Sequence, residues 1–257
     1  MKIDENGLNK ELIVLEQIEE RVKNYWTRRA QDFGMVRRME LQDEISGRWL
    51  EEINKYIPKE KGLRILDVGT GAGYFAVLLA EEGHRVYGID LTPAMIEEAK
   101  KLAGDRGMSI EFSVMDAQSL DFPEGSFDVV IARNLTWTLP KPEQAYGEWM
   151  RVLAKGGILL NFDADYGQEV QSMEENEPEA SADASGFHIG VTQELRQESN
   201  EITKAMAISQ NRRPDWDIAI IKEMGFLECQ CDREAGSRVL KERNGEAAPT
   251  FLIMVRK

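Results

Sequence analysis

The chain has little of what most often organises a protein's chemistry: two cysteines and two histidines among 257 residues. Cys229 and Cys231 are spaced i and i+2. On a strand that spacing points both side chains the same way, too far apart for disulfide geometry. A metal centre built on them needs further thiol or imidazole ligands, and the histidines, His84 and His188, are distant in sequence. The expectation is two partly buried thiols in a reducing compartment, and no metal. No apolar run approaches the roughly 20 residues that span a bilayer. The opening residues Met1-Lys2-Ile3-Asp4-Glu5-Asn6 lack the basic start and apolar stretch of a secretion signal. A cytoplasmic location without a membrane partner is therefore expected. Positive charge is outweighed, with 32 basic residues against 46 acidic ones. The formal net charge of −14 speaks against a nucleic-acid partner, because phosphate binding needs a basic face.

What is present reads as one globular α/β unit with additions. Apolar residues make up 42% of the chain and charged residues 30%, too hydrophobic a mixture for disorder. Residues 1–60 read as helical. Leu8, Leu12, Leu15, Ile18 and Val22 recur at spacings of three and four, and Leu41, Ile45, Trp49, Leu50 and Ile53 form a second apolar face, with a break expected near Gly34. From residue 63 short β-rich runs alternate with helical ones. Strands are expected at Arg64–Val68, Arg85–Ile89, Ile110–Val114, Phe127–Ala132 and Ile158–Phe162, and two closing strands at Phe226–Cys231 and Thr250–Val255. Thr92 and Pro93 suit the N-cap and first position of a helix. Continuous apolar strands alternating with helices predict a parallel sheet in a doubly wound fold. The rhythm stops between residues 163 and 213. Residues 163–201 hold eleven acidic residues against one arginine. Within this stretch Met173–Ser185 reads as a solvated loop and Val191–Gln210 as a helix.

In open parallel sheets ligands bind beyond the carboxyl ends of the strands. Asp67-Val68-Gly69-Thr70-Gly71-Ala72-Gly73 occupies that place after the first strand, with glycines that let backbone approach a ligand. Dinucleotide loops read G-x-G-x-x-G, and counted from Gly69 the sixth position here is Tyr74. Asp90, ending the second strand, can accept both hydroxyls of a ribose. Asp116 can accept a hydrogen bond from an adenine amino group while the N–H after it donates to the ring, which favours S-adenosylmethionine over a nicotinamide dinucleotide. Asn134, after the fourth strand, lies where a sulfonium is expected.

The run Ile65–Lys100, with Asp116-Ala117, Phe127-Asp128 and Arg151–Gly157, resembles the class I S-adenosylmethionine-dependent methyltransferases. The similarity is greatest to the small-molecule branch containing ubiquinone- and menaquinone-biosynthesis-like enzymes. It covers residues 63–162 well and the final helix and strands loosely. The resemblance implies a Rossmann-like, doubly wound seven-stranded mixed sheet of order 3-2-1-4-5-7-6, with strand seven antiparallel. It divides the chain into an N-terminal helical cap, 1–60, and a methyltransferase domain, 61–257, carrying a substrate lid at 163–213. It also implies that Asp67 and the loop Gly69, Thr70, Gly71 and Gly73 hold the methionine part of the cofactor. Asp90 takes the ribose, Leu91 packs on the adenine, Asp116 and Ala117 read its edge, and Met95 is a further cofactor-binding candidate. In Tyr25-Trp26-Thr27-Arg28-Arg29-Ala30, similar to the branch's pre-core helix, Tyr25 and Arg29 are candidates to close over the methionine carboxylate.

The acceptor is expected to be a small molecule offering nitrogen, oxygen or sulfur. Asp163, Tyr166 and His188 are the candidate bases, and Trp137 a candidate pocket wall. The acidic insertion suggests an amine acceptor, whereas Arg37-Arg38 and Arg212-Arg213 suggest a carboxylate or phosphate. A nicotinamide-dependent oxidoreductase and a non-catalytic binding module are the alternative functions.

Overall fold

The computed structural model describes residues 5–175, 189–245 and 248–257. Among these, seven strands form one sheet: β1 (Arg64–Val68), β2 (Arg85–Asp90), β3 (Glu111–Val114), β4 (Phe127–Arg133), β5 (Leu153–Asp163), β6 (Cys229–Asp232) and β7 (Phe251–Arg256). Their order is β3-β2-β1-β4-β5-β7-β6, as the resemblance implies. β1 to β5 pair in parallel, and β7 runs antiparallel between β5 and β6. Alternate residues along the strands feed two cores. Ile65, Val129, Ile131 and Leu160 join Trp49, Phe75 and Phe162 on one face; Leu66, Val130, Ala132 and Leu159 join Tyr146, Trp149 and Met150 on the other. The helices α3 (Tyr74–Glu81), α4 (Pro93–Asp105), α5 (Pro142–Val152), α8 (Asp215–Glu223) and α9 (Ala235–Leu240) accompany the sheet, α9 being an element the sequence did not suggest. Cys229 and Cys231 are free thiols, half-buried.

The N-terminal region differs from expectation in one respect. Helix α1 (Glu5–Glu40) passes through Gly34 unbroken, and the turn falls at residues 41–43 before α2 (Glu44–Ile53). One glycine costs a helix only about 1 kcal/mol, less than packing returns. At Gly34 that packing is close, since a Cβ there would lie 2.7 Å from Glu98 Oε2 on α4. Arg38, one turn on, pairs with Glu98 at 3.2 Å and with Asp105 at 3.3 Å. The stop is set by Asp43, whose carboxylate accepts the Ile45 N–H at 3.0 Å as an N-cap.

The insertion contributes α6 (Tyr166–Glu175) and α7 (Gln193–Ala205), which Thr192 caps by accepting the Leu195 N–H. The helix predicted over Val191–Gln210 thus ends at Ala205, and a separate 3-10 turn covers Ala207–Gln210. α6 replaces the start of the loop predicted at Met173–Ser185; the rest of that loop lies outside the described residues. A third apolar cluster joins Val22 and Tyr25 of α1 to Trp137, Leu195, Ile202 and Ile208. It seats α1 and the insertion together over the carboxyl ends of the strands.

Candidate active site

Three carboxylates stand in a row at the carboxyl ends of β1, β2 and β3. Asp67 is buried, and its Oδ2 accepts the Thr70 hydroxyl at 2.6 Å and the Ala76 N–H at 3.0 Å. Burial is the main influence on this carboxyl and raises its pKa to about 7; the two hydrogen bonds oppose the shift, Asp90 adds to it and Arg133 opposes it. Asp90 accepts the Gly71 N–H at 3.0 Å through Oδ2 and the Thr92 N–H at 2.8 Å through Oδ1. Each oxygen keeps a lone pair for a ligand while its first bond fixes the loop. Burial raises this pKa too, against those backbone bonds. Asp116 accepts from the backbone and side-chain nitrogens of Gln118, at 2.8 and 3.1 Å. Gln118 also donates to Glu19 of α1 at 3.0 Å and accepts the Lys141 N–H at 2.7 Å, so it joins the β3 end to α1 and α5.

The loop after β1 has left-handed glycines at Gly69 (φ 64), Gly71 (φ 53) and Gly73 (φ 82). A Cβ on Gly69 would also sit 2.6 Å from Leu135 Cδ1, so glycine is required there for space as well as for conformation. Asn134 takes φ 52 without being glycine; its carbonyl accepts the Trp137 indole N–H at 3.0 Å, and its Oδ1 is buried with no partner. Non-glycine residues held this way concentrate at ligand sites.

These groups surround a cavity of about 360 Å³. Every residue of the predicted cofactor set lines it except Gly73, which stands behind the loop as the N-cap of α3. Arg29 lines it while donating to the Ile189 carbonyl at 2.8 Å, and its Nε is buried without a partner. Trp137 is one wall, packed 5.1 Å from the Tyr166 ring.

The candidate bases fare differently. Tyr166 lines the cavity, and burial holds its hydroxyl pKa far above the ordinary value. Asp163 is fully buried, does not line the cavity, and is bonded to Thr136 at 2.5 Å and Arg213 at 3.1 Å. His188 lies outside the described residues. Of the arginine pairs, Arg213 is bound to Asp163 and Asp217 and Arg38 to α4, so neither is offered to a ligand, whereas Arg37 lines the cavity beside Glu40.

Several lining residues carry no motif. Glu169 and Val170 follow Tyr166 on one face of α6, and Arg196, Ser199, Asn200 and Thr203 form a polar stripe on α7. Burial raises the Glu169 carboxyl. The i, i+3, i+4 spacing is the signal that could have found both faces. Arg133, a charge ending an apolar strand, was the other readable sign.

Residues 66–161 match the methyltransferase domain family. The strand order and this match agree in assigning that region to a methyltransferase domain. The chain is 41% identical over 99 residues to demethylmenaquinone methyltransferase of Thermus thermophilus, a stretch covering 38% of this chain and 45% of that protein. It is 38% identical over 114 residues to phosphatidylethanolamine N-methyltransferase of Cereibacter sphaeroides, covering 42% and 55%. The chain therefore spans about half the length of the curated relatives it matches. Among solved structures, phosphoethanolamine N-methyltransferase 2 of Haemonchus contortus superposes with a TM-score of 0.57 at 16% identity, over 81% of this chain and 51% of that one. At that identity the likeness concerns the fold. No observation favours the oxidoreductase alternative.

Proposed function

We propose that this protein is a methyltransferase that transfers a methyl group from S-adenosylmethionine to a small-molecule acceptor held beneath α1, α6 and α7. The observation that carries this reading is the convergence of Asp67, Asp90 and Asp116 with the glycine loop on one cavity, whose far walls come from the insertion. Asp116 and the Ala117 N–H suit the adenine edge, Leu91 and Met95 its faces, and Asp90 the ribose. Asp67, Gly69 and Gly71, with Tyr25 and Arg29 above, suit the methionine part. The cofactor supplies an electrophilic methyl on a sulfonium, and transfer needs the acceptor in line with it. Positioning of this kind is worth roughly 7–11 kcal/mol in intramolecular analogues. On this reading the helices of 1–60 act as a cap and 163–213 as a lid. Glu169 joins Tyr166 as a residue able to exchange a proton with the acceptor. No helix among the described residues is long and apolar enough to cross a membrane.

The test is turnover. The protein is incubated with S-adenosylmethionine and pools of phenols, amines, thiols and carboxylic acids, and release of S-adenosylhomocysteine is followed. Acceptor-dependent release is expected, while cofactor binding without release from any pool would reduce the chain to a binding module.

A pH dependence follows from Asp67. Its free carboxyl is protonated below about pH 7, and a cofactor ammonium beside it draws the charged form. Binding of S-adenosylhomocysteine should therefore release a proton below pH 7, and affinity should rise with pH through 7 and then level. The groups facing Asp67 are Asp90, Arg133, the Thr70 hydroxyl and the Ala76 N–H. Calorimetry in buffers of different ionisation heat measures the released proton, and Asp67→Asn should abolish it. Because the folded pKa is the higher one, the same group favours the empty fold most at low pH. That contribution is lost as pH rises from about 4 through 7.

A further inference from the structure

Arg133 ends β4 on the cavity wall with a side chain only 13% exposed. Its guanidinium carbon lies 4.6 Å from the centroid of Trp49, 5.4 Å from Tyr74 and 5.5 Å from Phe75. Among the described residues its one ion-pair partner is Glu40 Oε2, at 3.7 Å, beyond hydrogen-bonding distance. That same oxygen is already held closely by Arg37, and the other oxygen of Glu40 is buried with no partner. Arg37 and Arg133 thus lie beside the same carboxylate. No hydrogen bond among the described residues reaches the Arg133 side-chain nitrogens, although a guanidinium carries five N–H donors in a planar fork. Burial, with Arg37 beside it, lowers its pKa to about 10. The other groups facing it are Glu40, Asp67, Tyr74 and Tyr166.

Topology places this cation on the acceptor side. The row Asp116, Asp90, Asp67 runs from β3 through β2 to β1, and β4 is the next strand, toward β5 and the insertion. On that side Tyr166 of α6 is near enough to influence Arg133. We propose that the acceptor carries a carboxylate bound by the Arg133 fork, on a flat apolar body that fits among the aromatic side chains. The inference rests on the methyltransferase reading. A dianionic phosphate would lose more hydration among these rings than a carboxylate does. A cationic amine placed against the buried Arg133 guanidinium would be repelled. The competing source of a carboxylate is the methionine end of the cofactor itself.

The experiment uses protein saturated with S-adenosylhomocysteine and three matched probe pairs: 4-hydroxybenzoate, salicylate and indole-3-acetate, each with its amide. Dissociation constants are measured by ligand-observed NMR for wild type, Arg133→Met, which keeps length and packing, and Arg133→Lys, which keeps charge without the fork. Charged hydrogen bonds predict that wild type prefers at least one carboxylate over its amide by about tenfold or more. The preference should fall below about threefold in Arg133→Met and be partial in Arg133→Lys, with affinity for S-adenosylhomocysteine within about threefold of wild type when all titrations are run near pH 8.5, above the titration of Asp67. Equal binding of all pairs overturns the proposal, as does a preference that survives in Arg133→Met. A drop in affinity for S-adenosylhomocysteine but not 5′-methylthioadenosine in Arg133→Met also overturns it, by giving the fork to the cofactor. Should Arg133→Met fail to fold, Arg133→Lys carries the comparison. A wild-type protein that ignores S-adenosylhomocysteine yet keeps the carboxylate preference refutes the methyltransferase reading and supports the fork.

Discussion

Asp90→Ala should weaken binding of S-adenosylhomocysteine by on the order of a hundredfold or more. A carboxylate accepting two ribose hydroxyls makes two charged hydrogen bonds, each worth about 1.5–3 kcal/mol. The substitution removes a second function as well. Both oxygens anchor backbone, at Gly71 and Thr92, so the alanine variant also frees the glycine loop from the end of β2. The fold should survive, because the deleted carboxyl is one that burial disfavours in its charged form. Asp90→Asn separates the two functions. It keeps one acceptor oxygen and one loop contact and should lose about tenfold. Calorimetric titration at fixed pH reads all three proteins, and an alanine variant within threefold of wild type would remove the ribose from Asp90.

Arg213→Met should cost about 3–5 kcal/mol of stability, the usual penalty for removing one member of a buried ion pair. Its side chain is 2% exposed, between Asp163 and Asp217, both fully buried. Nε and Nη2 form a fork on Asp217 at 3.0 and 2.9 Å, and Nη1 reaches Asp163 at 3.1 Å. The Tyr146 hydroxyl donates to Asp217 at 2.7 Å and accepts from Asn161 at 2.9 Å; Asn161 also donates to Thr136, which in turn donates to Asp163. This network locks the end of β5, the turn after β4, α5 and α8 at the point where the insertion returns to the sheet. Without the guanidinium, two carboxylates remain buried without a cation. Burial already raises the Asp163 carboxyl and Arg213 opposes that rise, so the deficit should be greatest near pH 8 and shrink toward pH 5. Denaturant unfolding at both pH values tests the size and the sign.

Asp163 also marks how far the sequence could be read. A carboxylate just past a strand reads the same whether it abstracts a proton or anchors a buried arginine. Its partner lies fifty residues on, beyond a stretch with no periodic signal. The sheet was legible because each βα unit is local: apolar run, glycine turn, amphipathic helix. The carboxylates at the ends of β1, β2 and β3 inherit their places from that order. The far wall of the cavity was legible only in part: a cap, a lid, Tyr25, Arg29, Trp137 and Tyr166 were expected there, but not the faces of α6 and α7 or the charge at the end of β4. Those faces are only three or four residues long. The opposition between an amine and an anionic acceptor likewise could not be decided from net charge. It turns on which arginines are already paired, and pairing is a tertiary property.

The central claim is that the cavity is built for S-adenosylmethionine, and titration of the wild-type protein with S-adenosylhomocysteine, alongside oxidised nicotinamide dinucleotide, tests it most directly. One site with a dissociation constant of roughly micromolar order is predicted for the first ligand, and no measurable binding for the second. Absence of binding by S-adenosylhomocysteine, or tighter binding of the dinucleotide, would contradict it.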